Sequence, residues 1–232
     1  ALRKFCAPTS LCFHGNTQSI TAKSRLVRPQ NLLVNRSCSI MWYYPDLTNP
    51  VVRCYACAKG VTRMIDIEKL TALAIAYDAG DAKRIQHFIK VYAYSRLLGR
   101  REGLDEHTQN VLEAAAVLHD IGIHEAERKH GSSGGHWQEM EGPAVAAPML
   151  RQCGADEWES ERVQWLIAHH HTYTAGEEKD FRILLEADFL VNAYEDGMTA
   201  EQCKTAKDRV FRTEAGKQYL EEMFLKPAYQ AK

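Results

Sequence analysis

Residues 114–142 read AAAVLHDIGIHEAERKHGSSGGHWQEMEG. An apolar Ala/Val/Leu run ends in a His-Asp pair, His119-Asp120, and His124, His130 and His136 follow within the same stretch. Burying a carboxylate is costly unless it is paired, hydrogen-bonded or bound to a metal. The pair therefore needs partners elsewhere in the chain.

From Met64 onward the hydrophobic pattern predicts helices and no strand. In MIDIEKLTALAIAYDAGD, Ile67, Leu70, Leu73 and Ala74 share one face, and the pattern stops at Gly80. Asp81 can cap a second helix, RIQHFIKVYAYSRLLG, with Ile85, Phe88, Val91, Tyr92 and Leu98 at helical spacing. Asp105 caps a third, EHTQNVLEAAAVLHD. A fourth, WQEMEGPAVAAPMLRQCG, contains Pro143 and Pro148, which are expected to bend or break it. Asp156 starts a fifth, DEWESERVQWLIAHHH, ending in His169, His170 and His171. After the loop TYTAGEEKD, FRILLEADFLVNAYEDG is apolar on nearly all sides and is expected to be buried. Thr199 and Gln202 form a capping box for TAEQCKTAKDRVF, and Thr213 opens a last helix that ends before Pro227. The expectation is an all-α domain over residues 64–232, large enough for a proper core.

Composition changes near Met64. Of the 29 basic and 30 acidic residues, residues 1–63 hold nine basic ones against the single acid Asp46, leaving the rest at a formal charge of -9. Five of the seven cysteines (Cys6, Cys12, Cys38, Cys54, Cys57) also lie in this first part. Three readings compete for it. An Arg- and Ser-rich segment poor in acids fits a transit peptide. Cys54 and Cys57 form a C-x-x-C, but Cys38 and His14 do not supply the second ligand pair of a zinc module. The favoured reading is a largely disordered N-terminal extension with no folded role, such as a start placed too early, with the native chain beginning at Met64. The formal net charge of -1 gives no reason to expect nucleic acid. No apolar run is long enough to span a bilayer.

Several polar residues interrupt the helix pattern. His87 lies beside an apolar stripe, His119-Asp120 end a buried run, and Asp188 sits inside ILLEADFLVNA. Each has an ordinary explanation alone. His87 could be a satisfied core histidine, Asp188 could accept bonds from a helix terminus, and His119 could complement a helix dipole. Together they require several coincidences in one domain. Convergence of His87, His119, Asp120 and Asp188 on a metal ion accounts for all of them, with His169 and His170 reaching the same site or a second ion. Imidazole with carboxylate suits Mn, Fe, Co, Ni or Zn better than Ca or Mg alone.

An upstream His, a His-Asp doublet and a downstream Asp on separate helices resemble the HD superfamily of metal-dependent phosphohydrolases. LHDIGI is close to the HDIG form common in bacterial members. The resemblance runs from about residue 80 to about residue 195. It implies a helical bundle around a metal site and hydrolysis of a phosphate ester. Members with two metals add histidines between the doublet and the last Asp, where His136 and HHH lie here. The Gly-Tyr-Pro of that branch is absent, and HHHTYTAGEE stands instead. Four residues before Gly142, where dinuclear members have His, stands Gln138; Glu139 and Glu141 are near enough to replace it. Glu125 and Glu127 do not have the spacing of relatives acting on guanosine tetraphosphate. One metal is expected and two are allowed.

The resemblance implies a divalent cofactor (Mn, Fe, Co, Ni, Zn or Mg) that lowers the pKa of a water for attack on phosphorus. His87, His119, Asp120, His169, His170 and Asp188 are its candidate ligands. Asp120, His169, His170 and Lys90 are candidate catalytic residues, Lys90 as a phosphate clamp one turn after His87. The loop from Gly131 to Gly135 is a candidate lid. The expected partner is a small phosphorylated substrate, a nucleotide among the candidates, with neither membrane nor nucleic acid. The expected compartment is cytoplasmic, and oligomeric state stays open because no coiled-coil heptads occur. The other function classes are a di-iron oxygenase of the same fold and a catalytically silent, metal-containing ligand sensor.

Overall fold

The structure is a computed structural model that describes residues 64–227. The expectations for residues 1–63 lie outside the described residues. Among the described residues all regular structure is helical. The elements are α1 (Ile67–Tyr77), α2 (Ala82–Arg101), α3 (Glu106–Leu118), α4 (Ile123–His130), α5 (Gly135–Gln152), α6 (Glu157–Ile167), α7 (Lys179–Glu195), α8 (Ala200–Val210) and α9 (Glu214–Leu220), the last running into a π-helical turn, Glu221–Leu225.

Short polar side chains start most of them. Asp66, Asp81, Asp105, Asp156, Thr199 and Thr213 each accept a hydrogen bond from a backbone amide in the first turn of the following helix. Each such cap stabilises its helix by about 1 kcal/mol. Asp156 and Thr199 form full capping boxes with Glu159 and Gln202.

The core is built on α3 and α7. Every residue from Gln109 to Leu118 is buried, and so is every residue from Asp180 to Val191. α2 packs between them through Phe88, Val91 and Leu98. Asn110 fixes the entry of the chain onto α3, accepting from Ile65 N (2.8 Å) and donating to Ile65 O (3.1 Å). Burial of α7 includes a second carboxylate, Glu186, which is 0% exposed. It accepts from the backbone N–H of Arg212 (2.5 Å) and Thr213 (2.8 Å) and from Thr213 Oγ1, which ties the start of α9 to α7.

The structure differs from the sequence pattern in four places. IHEAERKH is a further helix, α4, too short for its periodicity to stand out, and it is closed by Gly131 at φ 64°. The segment from Gly131 to Gly135 is the turn between α4 and α5, with Ser132 Oγ accepting from Gly134 N. α5 is not broken: it runs continuously from Gly135 to Gln152 through Pro143 and Pro148. Proline deprives the carbonyl four residues earlier of its donor. For Pro148 that carbonyl belongs to exposed Ala144, where water can replace the donor. Finally, α3 stops at Leu118 and α6 at Ile167, so His119-Asp120 and His169–His171 lie in turns rather than in helices.

Close backbone contact holds the first of these turns in place. A Cβ on Gly122 would lie 2.6 Å from Gly142 N and 2.7 Å from Gln138 O on α5. Only glycine lets the segment after the His-Asp pair press this closely on α5.

Candidate metal centre

Three elements deliver the polar residues to one place. α2 carries His87, the turn after α3 carries His119 and Asp120, and α7 carries Asp188. His87, His119 and Asp188 are all buried. Nε2 of His87 lies 3.3 Å from Nε2 of His119 and 3.1 Å from Oδ1 of Asp188. His119 Nε2 is 3.6 Å from that same oxygen. Asp120 Oδ2 completes the group, 3.6 Å from His87 Nε2 and 3.4 Å from His119 Nε2. Ligands bonded at about 2.0–2.2 Å to one ion stand about 3.0–3.5 Å from their neighbours. The donor spacing and the mixed imidazole-carboxylate chemistry therefore fit one divalent ion.

The hydrogen bonds behind these donors point the same way. His87 Nδ1 faces Glu195 Oε2 at 3.0 Å, and His119 Nδ1 faces the carbonyl of Ala116 at 2.9 Å. A proton on each Nδ1 leaves Nε2 with a lone pair directed into the centre. Asn192 Nδ2 donates to Asp188 Oδ1 at 2.9 Å and fixes that carboxylate.

Electrostatics demand positive charge here. Burial would lower the pKa of His119, but Asp120 and Asp188 together outweigh burial and hold the imidazole well above its ordinary value. Conversely, burial would raise Asp120, yet His119 and then His170 hold its carboxyl well below the usual range. Two carboxylates in a confined place can be balanced by protons on the imidazoles or by a metal cation.

A second group adjoins the first. Asp120 Oδ1 faces Nε2 of His170 at 3.3 Å, and Asp120, His170 and His171 each offer a donor atom to a common point. His170 is 1% exposed, its Nδ1 is 2.7 Å from Ile167 O, and its Nε2 has no hydrogen-bond partner among the described residues. His171 is held by Gln138 Oε1, 3.0 Å from its Nε2, and its backbone N–H donates to Glu139 Oε1. Desolvation of its ring, followed by the repulsion of His170, lowers the pKa of His171 to about 4. Gly135 gives this ring room, since a Cβ there would lie 2.6 Å from it.

Not every expected residue reaches the centre. His169 turns away: its Nδ1 is 2.7 Å from Trp165 O, and its ring stacks on Trp165 at 4.4 Å. The turn after Ile167 has rotated the three histidines out of helical register, so His170 and His171, rather than His169 and His170, face Asp120. Lys90 forms an ion pair with Glu195 and reaches the centre only through that carboxylate. His136 is exposed beside Trp137. Glu141 is taken by Lys129 and His130, and Glu139 by His171 and Thr172, so neither replaces the ligand missing at Gln138. Glu195, Asn192, Gln138 and His171 were not singled out by the pattern as parts of the site. A signal existed for two of them. Asn192 and Glu195 follow Asp188 by four and seven residues, the spacing of one helix face.

The HD domain family model matches residues 84–219, a span that includes every residue of both groups. No curated protein matches. Among solved structures, the chain is similar to a "predicted HD superfamily hydrolase" from an uncultured Thermotogales bacterium. The identity is 22% and the TM-score 0.50, over 72% of this chain and 89% of that one, a likeness of fold.

Proposed function

The chain belongs to the HD domain family, and from that premise we propose that it is a metal-dependent phosphohydrolase acting on a small phosphate ester such as a nucleotide. The observation that carries this is the convergence of His87, His119, Asp120 and Asp188 at 3.1–3.6 Å, with the far nitrogen of each imidazole already engaged. A divalent ion held there supplies Lewis acidity toward a phosphoryl oxygen and lowers the pKa of water.

The protein's own groups have separate tasks. His87, His119, Asp120 Oδ2 and Asp188 bind the ion. Glu195 keeps the His87 proton on Nδ1, and Lys90 holds Glu195 in place rather than clamping phosphate. Asn192 orients Asp188. His170 and Asp120 Oδ1 present two facing acceptors, which repel unless a proton or a second cation lies between them. That pair is the place to hold a proton for the leaving oxygen or to carry a second ion, with His171 beside it. The extent of the domain, 64–232, is part of the same reading.

The test is metal content and phosphate release from a panel of nucleotides and generic phosphate esters, using the full chain and its Asp120→Ala variant. Phosphate release that disappears together with bound metal in the variant is the expected result. A folded wild-type protein that binds no divalent metal and hydrolyses none of the esters overturns the reading. Two bound irons with oxygen consumption would redirect it to the oxygenase class.

A further inference from the structure

We propose a second divalent-metal site, apart from the centre, formed by His107, Asp156 and Glu159 where the N-terminal ends of α3 and α6 meet, and suited to a transition-metal dication such as Zn(II). One donor atom from each of the three residues lies within 4.8 Å of the others. Glu159 decides the matter. It is 0% exposed, yet its Oε1 has no hydrogen-bond partner among the described residues. His107 Nε2 lies only 3.2 Å from this oxygen without forming a hydrogen bond to it. Two donors so close and not bonded to each other match the roughly 3.3–3.5 Å expected between ligands of one tetrahedral ion. One imidazole with two carboxylates favours zinc, cobalt or nickel over calcium or magnesium.

The site is preorganised by the capping box. Asp156 Oδ1 accepts from Glu159 N at 2.8 Å, and Glu159 Oε2 accepts from Asp156 N at 2.8 Å. Each carboxylate thus spends one oxygen on fixing its own position and keeps the other for a ligand. The same two bonds offset the positive end of α6, which would otherwise oppose a cation. Trp158 stacks on the His107 ring at 4.9 Å and is exposed. His107 and His119 are separated by about 18 Å along α3. A metal here therefore clamps the far ends of the two helices whose C-terminal ends lead to His119 and His170.

The experiment counts zinc. The full chain is stripped with chelator, dialysed against Zn(II) and washed, and zinc per protein is measured by atomic absorption. His107→Ala is expected to hold one equivalent fewer than wild type. Glu159→Gln, which keeps the capping box because glutamine also closes it, is expected to show the same loss. The difference should persist in an Asp120→Ala background, which separates this site from the centre. Trp158 emission should respond to zinc only when His107 is present. Equal zinc counts in wild type and in whichever variants keep the wild-type circular dichroism overturn the proposal and leave the three residues as an ion-paired helix cap.

Discussion

Glu195 Oε2 lies 3.0 Å from Nδ1 of His87, two turns along α7 from Asp188. One helix face thus supplies both a candidate ligand, Asp188, and the carboxylate that faces the outer nitrogen of another, His87 on α2. Removing the charge of such a partner lowers metal affinity by about 10–100-fold. Glu195→Gln is expected to fall in that range in a chelator competition titration. Lys90→Ala, which removes only the group behind Glu195, should show a smaller drop. A wild-type affinity in Glu195→Gln would mean that His87 is not oriented by this bond.

His169 and His170 are neighbours with opposite surroundings. His170→Ala is expected to lower turnover of any ester the wild type hydrolyses by about 100-fold or more, the usual scale for loss of a positioned acid or base. His169→Ala should leave metal content and turnover near wild type, because its ring only stacks on Trp165. The reverse pattern would restore His169 to the site and remove His170 from it.

Gly122 tests how firmly the His-Asp turn is seated. Its backbone angles, φ -76° and ψ -12°, suit any residue, so the cost of a side chain there is steric alone. Gly122→Ala should cost about 1–3 kcal/mol, because the clash is with backbone that cannot yield cheaply. Gly142→Ala should be costly as well, since its Cβ would lie 2.5 Å from the Cγ2 of Ile167, which is β-branched and fully buried. Thermal unfolding of the two variants measures both costs. A stability near wild type in Gly122→Ala would show that the turn is looser than the packing indicates.

Glu186 gives a pH prediction independent of metal. Burial raises its pKa, more than the bonds from Thr213 and Arg212 lower it. The folded state therefore holds this proton more tightly than the unfolded chain. Its contribution is fully present below the unfolded pKa and is lost as pH rises through the raised folded value. In urea titrations, Glu186→Gln should gain on wild type as pH rises from acid to neutral. Glu186→Leu should be about 1–3 kcal/mol less stable than Glu186→Gln at any pH, because the amides of Arg212 and Thr213 lose their acceptor. A wild-type-minus-Gln difference that does not change with pH would contradict the shift.

The helices and the four residues that meet at the centre were legible because they rest on local signals. Caps such as Asp81 and Asp105 precede their helices in the sequence, and Asp188 stands out against an apolar run. The His169–His171 register was not legible, since it depends on α6 stopping at Ile167, and no glycine or proline marks that stop. Glu195 and Gln138 were missed for a different reason. A glutamate at a helix end and a glutamine in the polar first turn of a helix look like surface residues until tertiary packing shows what they hold. Glu186 was overshadowed by Asp188 two positions on, although a fully buried carboxylate is equally conspicuous there.

His119 and His170 each direct Nδ1 at a carbonyl three residues back, Ala116 O and Ile167 O. Those carbonyls belong to the ends of α3 and α6, where the helix itself has no donor left to offer. One bond therefore ends a helix and favours the tautomer that leaves Nε2 free to accept. Inserting one residue before His119 would swing its ring by about 100° and also strip the helix end of its closing bond. Loops that carry none of these residues, such as the one between α1 and α2, can change in length without touching the site. The points at which α3 and α6 stop cannot, and that constraint binds the site's history to helix termination rather than to any single motif.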